Sequence, residues 1–279
     1  MIIDGKKISA EIMNEVATEV AALTGRKPGL AFLLVGENPA SQSYVRAKKK
    51  ACASTGIAST LLEFPASIAE SDLINQIEKL NRDDSIDGIL IQLPLPPHID
   101  ENKIMIAIAP EKDVDGFHPL NVGKMLLGDD SGLLPCTPHG IKVLLERSHI
   151  PVDGKHVVIV GRSNIVGKPL AAILMQKKRG CNATVTVCHS HSKNLLEISK
   201  SADILVAAIG RPGFIQAHMV KPGACLIDVG INRVEGKIVG DIDFEAVLPI
   251  AGHITPVPGG VGPMTIAMLL QNTLRSYLF

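Results

Sequence analysis

The sequence predicts an α/β protein of two domains, each a parallel sheet flanked by helices. Three observations carry this. The chain has 279 residues, about two domains' worth. Short β-branched runs alternate with stretches of helical apolar spacing. In the middle, His156-Val157-Val158-Ile159-Val160 runs into Gly161-Arg162-Ser163-Asn164-Ile165-Val166-Gly167-Lys168-Pro169-Leu170, which reads as buried strand, tight turn, helix.

The first half follows the alternation in order. Ile8, Ile12, Val16, Val20 and Leu23 share one helical face, so a helix spans residues 8–23 and stops at Gly25 and Pro28. Residues 30–35 form a buried strand. Gly36-Glu37-Asn38-Pro39 turns the chain into a second helix carrying Ser41, Tyr44, Lys48 and Cys52, which Gly56 ends. Residues 57–64 form a strand and residues 70–80 a helix. A buried strand over 86–93 is closed by Pro94, Pro96 and Pro97. Residues 100–109 read as a helix and Glu111–Pro119 as a polar loop. A helix over 139–147 bridges to the second half, which starts at Pro151.

There the strands are 156–160, 183–188, 203–209 and 224–229, a second βαβ series. Pro256-Val257-Pro258-Gly259-Gly260-Val261-Gly262-Pro263 is stiff backbone leading into a last helix over 264–276, with Pro263 at its first position. Cations at Lys177-Lys178-Arg179 suit a solvated helix end.

Bulk properties exclude several classes. Lys plus Arg and Asp plus Glu balance at 28 each, so no nucleic-acid field is expected. The absence of Trp and two Tyr argue against a base-stacking surface. The amino terminus lacks a signal-peptide core, and no apolar run reaches membrane-spanning length. Five cysteines with no C-x-x-C pair fit reduced thiols in a cytoplasm. The nine histidines show no metal spacing, so no metal site is expected.

The turn at Gly161 aims backbone N–H groups above the sheet, beside a partly positive helix start. That suits a nucleotide phosphate. Its spacing is not G-x-G-x-x-G, since Ser163 stands where the second glycine would be, and a purely structural turn has the same outline. At the end of the second strand, where a dinucleotide site offers an acid to the ribose, the chain reads Cys188-His189-Ser190-His191-Ser192. With no carboxylate to repel a 2′-phosphate, Ser190 and Arg162 could bind one, favouring NADP over NAD; a polar loop is the alternative.

Tyr44 and Lys48, four apart on a helix, share a face. A ring beside an amine can hold a flat substrate and move a proton, given an environment that tunes the amine. Lys49 and Lys50 leave open a merely solvated face. Gln92 stands in an otherwise apolar run at a strand's carboxyl end, where ligands bind in α/β sheets, and a polar group there needs a partner. Asp113 and Asp115 alternate on extended chain, so only one faces a given cleft and paired-carboxylate hydrolysis is disfavoured.

Six segments in order resemble the bifunctional methylenetetrahydrofolate dehydrogenase/methenyltetrahydrofolate cyclohydrolase family. They are Ser43-Tyr44-Val45-x-x-Lys48, Gln92-Leu93-Pro94-Leu95, Lys112-Asp113-Val114-Asp115-Gly116, Pro135-Cys136-Thr137-Pro138, Val160-Gly161-Arg162-Ser163-x-x-Val166-Gly167-x-Pro169 and Pro258-Gly259-Gly260-Val261-Gly262-Pro263-Met264-Thr265. The resemblance covers essentially the whole chain.

It implies an N-terminal three-layer α/β catalytic domain from residues 1–137 plus 264–279. It implies an NADP-binding Rossmann domain over 138–263, a folate cleft between them, and a homodimer. By the same resemblance Lys48 is the catalytic lysine, Tyr44 its ring-stacking partner, Gln92 the side chain that positions it, and Asp115 the carboxylate that holds the pterin. Gly161, Arg162, Ser163, Ser190 and Ile231 match cofactor-contacting positions. One departure is visible: residues 176–181 look longer than the usual turn before the second strand. The rivals are an amino-acid or shikimate-type dehydrogenase and a non-catalytic nucleotide-binding protein.

Overall fold

The computed structural model describes residues 1–279, which divide into two compact units. One comprises residues 11–136 and 266–279, the other residues 1–10 and 137–265.

The first unit is built on a parallel three-stranded sheet. Helix α1 (Gly5–Ala22), whose first six residues count with the second unit, precedes β1 (Gly29–Val35). Then come α2 (Pro39–Thr55), β2 (Ala58–Phe64), α3 (Glu70–Asn81), β3 (Gly88–Ile91) and α4 (Glu101–Ala107). A single 3-10 turn at Pro110–Lys112 leads to α5 (Pro119–Leu127). The strand order is β2-β1-β3, so β1 is buried along its whole length and reads as an unbroken apolar run. Alternate residues Ala31, Leu33 and Val35 pack on Leu73 and Ile77 of α3 and Ile104 of α4. Leu30, Phe32 and Leu34 are buried on the opposite face.

The second unit begins within α6 (Cys136–Arg147) and carries β4 (His156–Val160), α7 (Gly167–Leu174), β5 (Thr184–Cys188) and α8 (Leu195–Lys200). Next are β6 (Ile204–Ala207), β7 (Cys225–Asp228), β8 (Asn232–Val234), β9 (Lys237–Val239), α9 (Phe244–Val247) and β10 (His253–Ile254). The chain closes with α10 (Val261–Leu278), which returns to the first unit from Ile266. The sheet is parallel, in the order β10-β7-β6-β4-β5. Strand order reverses beside β4, which opens a crevice outside the carboxyl ends of β4 and β6. Val158, Val160, Leu205, Ala207 and Leu226 form the core under that sheet.

Several elements differ from the expected ones. Residues 1–10 pack with the second unit, because the amino terminus pairs along β10. Ile3 N–H donates to Ile254 O at 2.8 Å, and Ile254 N–H donates to Met1 O at 3.0 Å. Helix α5 stands where no helix was expected: His118 caps it, Pro119 opens it and Gly128 closes it in a left-handed conformation. A hairpin forms over β8 and β9, turning at Glu235 and Gly236, both with positive φ. Helix α10 starts at Val261, so Pro263 lies in its first turn and not at its first position. The long segment before β5 is a closed loop, in which Asn182 N–H donates to Gln176 O at 2.9 Å. It sits at the amino end of β5, away from Cys188 and Ser190.

Candidate active site and nucleotide cradle

Lys48 is aimed by a well-capped helix. The Asn38 side chain accepts from Ala40 N–H at 2.9 Å and Ser41 N–H at 3.2 Å, Pro39 opens α2, and Gly56 ends it with a left-handed φ of 77°. Ser41 Oγ donates to Leu93 O at 3.3 Å, tying the start of α2 to the chain leaving β3. Two turns along, Lys48 Nζ donates to Gln92 Oε1 at 3.1 Å. Gln92 follows the last residue of β3. Its N–H donates to Leu33 O of β1 at 3.0 Å, and its Nε2 donates to Leu93 O at 2.9 Å. Both ends of the Gln92 amide are thus committed, which leaves Oε1 facing the lysine. Gln92 sits outside the carboxyl ends of β1 and β3, where this sheet's strand order reverses. Tyr44, one turn before Lys48, is 41% exposed, with its ring available to a flat ligand.

Asp115 joins this pair. Burial pushes its carboxyl up, and the nearby Lys48 cation works against that rise. The loop that presents it is fixed from two sides. Asp113, pointing the other way, accepts from Gly116 N–H at 3.1 Å, His118 N–H at 2.7 Å and Asn121 Nδ2 at 3.0 Å. From α10, Asn272 Nδ2 donates to Val114 O at 2.8 Å and to Leu134 O at 2.9 Å. Cys136 Sγ donates to Val114 O at 3.1 Å, and Cys136 N–H to Asp115 O at 3.3 Å. Lys48, Gln92 and Asp115 therefore converge, with Tyr44 on the same helix face as the lysine. Asp113, Asn121 and Asn272 hold the loop without belonging to the cluster, and the sequence reading passed over the last two. Asn272 carried no distinct local signal, since it stands in the polar triplet Gln271-Asn272-Thr273.

Burial also pushes Asp113 up to about 6, against its hydrogen bonds. Its ordinary value is about 3.9. The folded state therefore binds this proton more tightly than the unfolded chain, so the cost of ionising Asp113 is felt above pH 6 and relieved as pH falls towards 4. We expect wild type to gain stability relative to Asp113→Asn by about 1 kcal/mol between pH 6 and pH 5. Urea unfolding at the two pH values checks this; a gap shifting the opposite way contradicts it.

The second unit gathers Gly161, Arg162, Ser163, Ser190 and Ile231 at the carboxyl ends of β4, β5 and β7. Gly161 N–H donates to Cys188 O at 2.8 Å, and Gly161 has a φ of 128°. A Cβ there would strike the Ala208 carbonyl, and one on Gly167 would strike the Gly161 carbonyl. The turn is as tight as glycine allows, so its backbone lies close over the sheet. Ser163 Oγ accepts from Val166 N–H at 3.1 Å and Gly167 N–H at 3.4 Å, which fixes the start of α7. Arg162, Ser190 and Ile231 are exposed. Residues 189–192 carry no carboxylate; His189 N–H donates to Ser192 Oγ at 2.9 Å, so the loop is internally tied and leaves Ser190 outward. A nucleotide fits this cradle: glycine-tight backbone at a helix start, one exposed arginine, and no acid beside the second strand.

Comparison with known proteins divides the chain between residues 115 and 135, counting residues 3–10 with the first part and 266–278 with the second. Residues 3–115 match the family described as tetrahydrofolate dehydrogenase/cyclohydrolase, catalytic domain, and residues 135–278 match its NAD(P)-binding domain. A protein of Protochlamydia amoebophila named bifunctional protein FolD is 58% identical over 284 residues, covering 99% of this chain and 97% of its own. The crystal structure of the bifunctional FolD methylenetetrahydrofolate dehydrogenase/cyclohydrolase from Campylobacter jejuni aligns at a TM-score of 0.96 and 49% identity, over 100% of this chain and 98% of that one. The Trypanosoma brucei methylenetetrahydrofolate dehydrogenase-cyclohydrolase, solved with NADP cofactor and inhibitor, aligns at 0.93 and 39% identity, over 100% and 97%.

Proposed function

The chain belongs to the tetrahydrofolate dehydrogenase/cyclohydrolase family and is a bifunctional enzyme of that type, and from that premise we propose that it uses NADP to oxidise 5,10-methylenetetrahydrofolate and hydrolyses the methenyl product to 10-formyltetrahydrofolate with Lys48 as the proton-transfer group. The observation that carries the assignment of Lys48 is its bond to Gln92 beside the Asp115 carboxyl.

Asp115 accepts hydrogen bonds from the pterin's N–H groups, and Tyr44 stacks on the flat ring. An NADP held across the second unit would supply the hydride acceptor for the folate's bridging methylene. Arg162 and Ser190 would hold its 2′-phosphate, and the α7 start and Ser163 turn its pyrophosphate. Hydrolysis follows on the first unit. A water oxygen bonds to the methenyl carbon and loses both protons in turn; as its carbonyl forms, the bond from that carbon to N5 breaks, N5 takes up one proton and the other is released. Lys48 moves these protons, held in line by Gln92. All five thiols are free and buried, which supports a reducing cytoplasmic setting. No helix is long and apolar enough to cross a membrane. The family resemblance adds a homodimer to the proposal, open to light scattering.

An assay with methylenetetrahydrofolate and each cofactor, following methenyl formation and decay, tests the reading. Arg162→Ala should raise the KM for NADP about tenfold or more, the value of one charge-assisted bond, with a smaller effect on NAD. Equal effects on both cofactors would remove the 2′-phosphate contact from the proposal.

A further inference from the structure

One buried side chain holds the loops that follow β6 and β7. Asp241 Oδ2 accepts from Ile209 N–H at 2.6 Å and Gly210 N–H at 2.9 Å. Its Oδ1 accepts from Arg211 N–H and Asn232 Nδ2, each at 2.9 Å. Three successive backbone amides of one loop and a side-chain amide of another thus meet on one carboxylate. Beneath it, Asp228 at the end of β7 accepts from Gly230 N–H at 2.9 Å, Asp241 N–H at 2.8 Å and Ile242 N–H at 2.9 Å. The fit is closed, since a Cβ on Gly230 would strike the Asp241 carboxylate and one on Gly240 the Asp228 carboxylate. The two carboxylates therefore set segments 209–211, 230–232 and 240–242 against one another.

These loops lie on the far side of the strand-order reversal from Ser190. A dinucleotide laid across that reversal with its adenosine beside β5 carries its nicotinamide towards β6 and β7. Resting on the cofactor reading above, we propose that Asp241 is the positioning residue of the nicotinamide half: it fixes the backbone at 209–211 and the loop bearing Ile231 without touching the ring. The work needs a carboxylate. Asparagine offers one acceptor oxygen and a donor NH2. Turned one way, it faces Ile209 and Gly210 with a donor; turned the other way, it faces Arg211 and Asn232 with one. Either orientation leaves two donors unmatched, and the loop must move.

The test uses full-length wild type, Asp241→Asn and Asn232→Ala. NADPH affinity is read by cofactor fluorescence, NADP KM by methylenetetrahydrofolate oxidation, and cyclohydrolase turnover on methenyltetrahydrofolate without cofactor. Asp241→Asn should weaken NADPH binding and raise the NADP KM by about tenfold, the loss of two hydrogen bonds, and should lower the ratio of dehydrogenase to cyclohydrolase rates to match. Asn232→Ala removes one donor and leaves the three backbone ones; it should shift affinity by about twofold to fivefold, and it decides the matter if Asp241→Asn does not fold. Unchanged NADPH affinity overturns the proposal, as does a parallel fall of both activities with a lowered Tm, the mark of a structural role alone. Wild type that binds NADPH but turns over no folate overturns the functional reading, while the binding comparison still judges Asp241.

Discussion

Lys48→Ala should lose cyclohydrolase turnover by about 10²–10⁴-fold, the range for a removed proton-transfer group, while NADP binding, which rests on other residues, stays close to wild type. Two separate losses are combined in that variant. The amine that moves protons is gone, and so is the cation that holds the Asp115 carboxyl down against burial. The second loss raises the folate KM, most strongly at acid pH. Lys48→Arg separates them. A guanidinium keeps the charge beside Asp115, so the folate KM should stay near wild type, but it does not give up a proton at any working pH, so turnover should fall as far as in the alanine variant. The decay of methenyltetrahydrofolate absorbance, followed against pH and folate concentration, measures both. Substantial cyclohydrolase turnover in Lys48→Arg would transfer the proton chemistry from Lys48 to another group.

What could be read from the chain depended on whether a signal was local. Strand β4 was readable to the residue because a β-branched run ends on a glycine. Gln92 was readable because a lone amide in Ile89-Leu90-Ile91-Gln92-Leu93 must find a partner, and it finds Lys48. Helix α5 held local signals, Pro119 and Gly128 at its ends, but its polar approach segment masked them. The turn at Glu235-Gly236 is a weaker hairpin mark than Asn-Gly, and the hairpin went unread. Other features had no local trace. Asp241 looks like any acid in a loop until Ile209 and Gly210, about thirty positions earlier, are brought onto it. The placement of residues 1–10 depends on Ile254, at the other end of the chain. Charge and hydropathy report burial and period; they do not report which distant backbone amides will need an acceptor.

Gly161→Ala should show the largest effect on the oxidative half. Gly161 takes a φ of 128°, which a side chain rarely adopts, and the added methyl would run into the Ala208 carbonyl, which belongs to backbone and not to a flexible side chain. The strain alone costs about 1–3 kcal/mol, and the clash can be relieved only by moving the turn away from the end of β6. Gly167 packs against the Gly161 carbonyl in turn, so the shift passes to the start of α7. Arg162 and Ser163 then leave the positions proposed for the phosphates. We expect the NADP KM to rise by at least about a hundredfold, corresponding to about 2.7 kcal/mol, with a Tm lowered by several degrees, about what 1–3 kcal/mol produces in a domain of this size. Lys48, Gln92 and Asp115 belong to the other unit, so cyclohydrolase turnover at a temperature below the transition should stay within about twofold of wild type, the usual reach of a distant substitution. Kinetics of both reactions on one preparation provide the check. A normal NADP KM in this variant would mean that the Gly161 turn is structural and that the cofactor is held elsewhere.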